Sequence, residues 1–114
     1  MESNKETAEA LLNYLIGINA VVLQGLNFEG EPVYLVTEKC KEVFPEFYRT
    51  HRQELNNTAY DLWALGVIDI VFGDEGEEVI FNSTHVAKLE EVYEDLTVLQ
   101  IEFLISIGAP VKFV

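Results

Sequence analysis

The chain has 114 residues, 49% of them apolar, and its 20 acidic side chains outnumber 7 basic ones to give a formal charge of −13. That length makes a single domain over residues 1–114 with enough apolar residues for a core, which excludes a disordered chain. The lone Cys40 excludes an internal disulfide, and no apolar run reaches a membrane-spanning length of about 18 residues, so a cytoplasmic protein that does not enter a membrane is expected. An acidic field of this kind repels nucleic acid over a Debye length of about 8 Å and favours a basic protein partner.

Met1 to Glu6 is polar and acidic and lacks the apolar run of a signal peptide. Ala8, Leu11, Leu12, Leu15 and Ile16 recur at helical spacing, which predicts a helix over 6–16 stopped by Gly17. Ile18 to Leu23 is continuous and β-branched and predicts a strand. Gly25, Asn27, Gly30 and Pro32 supply the turn into a returning strand. Thr37 is the expected N-cap of the next helix, with Glu38 near the positive end of its dipole. Pro45 breaks that helix and starts another to Leu55; Asn56 and Asn57 end it, and Thr58 caps a helix to Leu65 that Gly66 terminates.

Val67 to Phe72 reads as a strand whose single polar residue, Asp69, predicts cover on both faces. Gly73 to Glu78 is an acidic turn and Val79 to Phe81 the returning strand. Thr84 opens a helix expected to run from His85 to Ile107, with Leu89, Val92, Leu96, Leu99 and Phe103 forming a coiled-coil-like seam and Glu90, Glu91, Glu94 and Asp95 opposite. The second half of that helix is apolar nearly all round. This predicts burial on several sides and a homodimer interface of Leu99, Ile101, Phe103, Leu104 and Ile105. Gly108 to Pro110 ends it, and Val111 to Val114 is an apolar tail for the core or a partner.

A helix–hairpin–helix pattern thus occurs twice, over 7–55 and 58–107. Thr7 matches Thr58, Gly17 matches Gly66, Glu29 matches Glu75 and Thr37 matches Thr84, as a duplicated unit would. The fold class is α+β, mainly helical, with two β-hairpins and a long C-terminal helix. Leu62-Trp-Ala-Leu-Gly-Val-Ile68 resembles the close of a recognition helix entering a wing. Tyr34-Leu-Val-Thr-Glu-Lys-Cys-Lys-Glu-Val-Phe44 resembles the strand-to-helix passage after the wing in winged-helix regulators of the MarR and PadR type. The resemblance implies a winged-helix-like fold in a transcription setting and, as the alternative function, a regulator that binds DNA directly. The residues depart from that family where DNA would be read. Base edges are read by Arg, Lys, Asn or Gln, whereas Thr58 to Leu65 carries one acid and no base, and Asp74 to Glu78 would repel phosphate.

Motifs for chemistry are sparse. Lys39, Lys41, Arg49 and Arg52 form the basic cluster, with His51 beside it, but Glu38, Glu42, Glu46 and Glu54 interleave as on a solvated face. His51 and His85 lack zinc-site spacing, the acidic turn lacks the ligand order of a calcium loop, and Cys40 reads as a structural thiol. Phe44, Phe47, Tyr48, Tyr60 and Trp63 sit at helical spacing, as core or as a contact patch. No phosphate loop or nucleophile elbow occurs, so no catalytic residue, metal or cofactor is expected. The function expected is a non-enzymatic, acidic protein-binding module. It would engage a basic or nucleic-acid-binding partner through Asp74, Glu75, Glu77, Glu78, Glu90, Glu91, Glu94 and Asp95, as a DNA-mimicking inhibitor or accessory factor of viral or mobile-element type does.

Overall fold

Helix α3 (Pro45–Leu65), at 21 residues, is the spine of the fold in this computed structural model, which describes residues 2–114 with side chains from Thr7 onward. Pro45 fits its first turn because the missing N–H has no helical partner there. The break expected at Asn56–Thr58 does not occur. Asn56 and Asn57 lie in solvent, and the Thr58 hydroxyl donates to the Glu54 carbonyl at 3.0 Å, one turn back, instead of capping a new helix. The buried stripe of Leu55, Thr58, Ala59 and Leu62 therefore continues through this stretch. Gly66 ends the helix in the left-handed region, φ 82°, where its N–H reaches the Leu62 and Trp63 carbonyls.

Before α3 come α1 (Glu2–Gly17), the hairpin β1 (Val21–Leu26) and β2 (Pro32–Val36), and the short α2 (Glu38–Val43). The first strand begins later than expected, because Ile18 to Ala20 form a turn with Asn19 at φ 63°. Asn27 organises the hairpin loop, its side-chain oxygen accepting the Glu29 and Glu31 amides. Thr37 occupies the N-cap position of α2, but its hydroxyl donates to the Asn19 and Ala20 carbonyls rather than capping.

After α3 come β3 (Asp69–Gly73) and β4 (Gly76–Ile80), a second antiparallel pair in a sheet of its own. The two-residue turn Asp74-Glu75 needs Gly76 at φ 114°, which a side chain would disfavour. Of β3 only Ile70 is buried: Val71 on the opposite face is 46% exposed, and Phe72, on the same face as Ile70 but nearer the hairpin tip, is 60% exposed, contrary to the two-sided cover expected.

The expected long C-terminal helix is divided. Helix α4 (Ser83–Val92) starts one residue before Thr84, with Asn82 as N-cap in a reciprocal box with His85. It tightens into a 3-10 turn at Tyr93–Asp95, and α5 (Val98–Ser106) begins anew. Thr97 and Gln100 cap each other's amides at that second start, and extended Leu96 turns into the core. The seam from Leu89 to Phe103 is thus shared by two helices, and the long helix of the fold is α3.

The larger core joins Leu55, Leu62, Ile68, Leu89, Leu96 and Leu104, and a smaller one under α1 and the first hairpin joins Leu15, Ala20, Val21 and Cys40. Helix α5 packs on α3 and β2. The tail lies on this chain: Phe113 packs against the larger core and the Val114 amide donates to the Leu26 carbonyl at 3.0 Å. Helix–hairpin–helix order occurs twice, the two stretches sharing α3, which runs unbroken through residues 55–58. Among the described residues, no helix is long and apolar enough to cross a membrane.

Candidate functional site

The β3–β4 hairpin and the C-terminal half of α3 together present apolar and acidic side chains to solvent. Tyr60 and Trp63, three residues apart on α3, share its hairpin side. The Tyr60 hydroxyl donates to Glu77 of β4. Trp63 lies with its ring centroid 6.0 Å from that of Phe72 on β3, at an interplanar angle of 59°. Trp63 is 41% exposed, and Tyr60 and Phe72 are exposed beside it, while Leu65 and Val71 are exposed on other faces of the helix and the hairpin. Phe72 pairs with Glu77 and Val71 with Glu78 across the hairpin, so each exposed apolar residue has a carboxylate directly opposite. The acid bonded to Tyr60 pushes its phenol above the ordinary tyrosine range, first through the hydrogen bond, then through burial and the charge itself.

Asp74, Glu75, Glu77 and Glu78 are all exposed on this hairpin. Glu90 and Glu91 are exposed on α4 and Glu94 and Asp95 on the 3-10 turn, so the eight acids named from the sequence belong to three elements. Glu91 accepts from Lys88 at 3.3 Å on an exposed pair worth little in water. Of the expected dimer interface, Ile101, Phe103 and Leu104 are buried in this chain's own core, and Leu99 and Ile105 pack partly against it. Helix α5 packs on α3 and β2, so Ile101, Phe103 and Leu104 face this chain's interior, while Leu99 and Ile105 keep part of their surface open.

Both histidines have carboxylate partners. His85 Nδ1 accepts the Asn82 amide, so its proton sits on Nε2, which donates to Asp69 at 3.2 Å. His51 Nε2 donates to Glu102 Oε1 at 2.8 Å, and the same oxygen accepts the Val36 amide at 3.1 Å. Glu102 is 4% exposed and escaped the sequence reading. The signal was present: it is the single acid between Val98 and Ile107, and a carboxylate in an apolar helix needs a buried partner. The pair borders a cavity of about 190 Å³ lined largely by apolar groups, including Leu12, Tyr34, Phe47 and Val98. Among the described residues, no serine, threonine or cysteine lines it. Cys40 lies in the smaller core, and burial raises its thiol above the ordinary range, away from the reactive thiolate. Among the described residues, no three His, Cys, Asp or Glu side chains converge as a metal site would require. No family model matches the chain, and no curated protein or solved structure is significantly similar to it.

Proposed function

We propose that the chain is a non-enzymatic protein-binding module. Its contact face is the Trp63–Phe72 pair with Tyr60, edged by the hairpin acids Asp74, Glu75, Glu77 and Glu78. The observation that supports this reading is the solvent-exposed aromatic pair set among carboxylates. Aromatic anchors carry most of the energy in protein interfaces, and surrounding charges select the partner and speed its approach. The fitting partner is a protein with an apolar ridge flanked by Lys and Arg, such as a nucleic-acid-binding surface that the module would cover as an inhibitor or accessory factor in the cytoplasm. The scaffold fits a winged-helix-like reading in its order of elements, with α2 and α3 leading into β3–β4 as the wing.

Trp63 is the only tryptophan in the chain, so its emission reports on the proposed face directly. A Lys/Arg-rich amphipathic peptide with leucines at i, i+3 and i+4 should shift that emission to the blue, and Phe72→Ala should weaken binding at least tenfold. A peptide that binds equally well to the Phe72→Ala and Trp63→Ala variants, followed by calorimetry, removes this face from the function. Nanomolar binding of duplex DNA to the unaltered chain at physiological salt replaces the reading with that of a DNA-binding regulator.

A further inference from the structure

Four of the seven basic residues lie together on α2 and the first half of α3, and three of them, Lys41, Arg49 and Arg52, line one concavity of about 640 Å³. Its other lining residues are Pro45, Tyr48, Gln53 and Asn56, with no carboxylate among them. The geometry follows from the break at Phe44, whose backbone is neither helical nor strand-like, φ −136° and ψ 75°. The chain turns there, so Lys41 at the end of α2 faces the opening turns of α3. On α3, residues 45, 48, 49, 52, 53 and 56 follow each other at three- and four-residue spacing and form one continuous face. The Tyr48 and Pro45 rings supply apolar surface, and Gln53 and Asn56 supply amide donors.

Lys41, Arg49 and Arg52 make no ion pair among the described residues, although the chain carries a charge of −13 and Glu38, Glu42, Glu46 and Glu54 stand on the same helices. In so acidic a chain, unpaired cations lining one hollow mark a local reversal of sign, with a nearby carboxylate, Glu38, accepting from the Tyr48 hydroxyl at 3.5 Å. We propose that this hollow is a binding site for a small phosphate ester carried on a flat apolar body. Arg49 and Arg52 take the phosphate oxygens with their planar forks, Lys41 adds a point charge from across the hollow, and the Tyr48 ring takes the apolar body. The volume lies within the range of about 300–1,000 Å³ usual for small-molecule pockets. Three cations match the charge of one or two phosphate groups. They do not match a duplex, whose non-specific grip typically rests on roughly six to ten phosphate contacts, and the neighbouring glutamates would face the further phosphates of a longer strand. The site is separate from the hairpin face and does not depend on the function proposed for it.

The test uses the full chain and three separate probes: phenyl phosphate, benzoate and a short DNA duplex, each followed by calorimetry and by amide shifts in NMR. Phenyl phosphate should move the amides of Tyr48, Arg49, Arg52, Gln53 and Asn56 and should bind more weakly as salt rises. Arg49→Gln with Arg52→Gln should lower its affinity at least tenfold while leaving the circular dichroism spectrum and the Trp63 response to a basic peptide unchanged. Arg52→Lys alone should retain an intermediate affinity. Phenyl phosphate binding that the double variant leaves unchanged, or whose shifts fall elsewhere on the chain, overturns the site. Tighter binding of benzoate overturns the phosphate assignment, and tighter binding of the duplex, lost in the double variant, overturns the small ligand.

Discussion

Glu102 on α5 and His51 on α3 meet at 2.8 Å inside the chain, and the same Glu102 oxygen also holds the Val36 amide of β2. One carboxylate therefore ties three elements at the junction of the two cores. A buried pair of this kind is weak evidence for net stabilisation, because desolvation opposes the attraction. Removing one partner is another matter, because the charge or donor left behind has nowhere to turn.

Glu102→Ala should therefore cost about 3–5 kcal/mol, since it leaves both His51 and the Val36 amide unpaired and opens a void. Glu102→Gln keeps an acceptor of the same shape and should cost less, about 1–3 kcal/mol. Urea denaturation of both variants measures the difference. Equal losses, or none, would show that the junction does not depend on this oxygen.

Leu96 and Leu99 were equivalent on a single long helix, and the observed break makes them unequal. Leu96 is extended and buried where α4 gives way to α5, whereas Leu99 is only partly covered at the edge of the small cavity. Leu96→Ala should cost about 2–5 kcal/mol, as at other closed core sites. Leu99→Ala should cost less than half of that. Melting curves that rank the two in the opposite order would contradict the packing around the 3-10 turn.

The sequence carried the hairpins, the glycine stop at Gly66 and the Pro45 start, because each rests on local backbone chemistry that a few residues determine. It misled where two local signals competed. Asn56-Asn57-Thr58 looks like a break, yet the apolar stripe through Leu55, Ala59 and Leu62 passes across it, and packing prevailed. Between Leu89 and Phe103 the apolar repeat suggested continuity, yet the Thr97–Gln100 capping box provided a fresh start and won. The aromatic face was only half legible. Tyr60 and Trp63 have core-like spacing on α3, and their exposure depends on how far the second hairpin reaches across them. The His51–Glu102 contact joins residues 51 positions apart and has no local signature.

Tyr60 offers a measurement on the hairpin itself. Its phenol is raised by the bond to Glu77, so the folded chain holds that proton to higher pH than the unfolded chain does. The bond is complete below the unfolded tyrosine value of about 10 and is lost as pH rises through the higher folded value. Hairpin docking should accordingly loosen only at alkaline pH. Glu77→Ala should bring the Tyr60 titration down toward the ordinary range and leave that of Tyr93, which burial raises first and Glu90 second, in place. NMR of the tyrosine rings separates the two. An unmoved Tyr60 in the Glu77→Ala variant would disconnect the hairpin from α3.

The acids at the hairpin tip can be tested for function only if Glu77 is spared, because it bonds Tyr60 while its neighbours Asp74, Glu75 and Glu78 form no ion pair among the described residues. Replacing those three by Lys changes exposed positions, where substitutions usually shift stability by no more than about 0.5 kcal/mol, so the melting temperature should stay close to that of the unaltered chain. Association with a basic amphipathic peptide should slow by at least tenfold at low salt, since attraction between opposite charges sets the encounter rate and is screened over about 8 Å at physiological salt. The difference between the two proteins should shrink as salt is added, and dissociation, governed by Trp63 and Phe72, should change little. Stopped-flow recording of Trp63 emission reads both rates. An association rate that is independent of salt and of these lysines would take the hairpin acids out of partner capture and leave the aromatic pair alone on the working face.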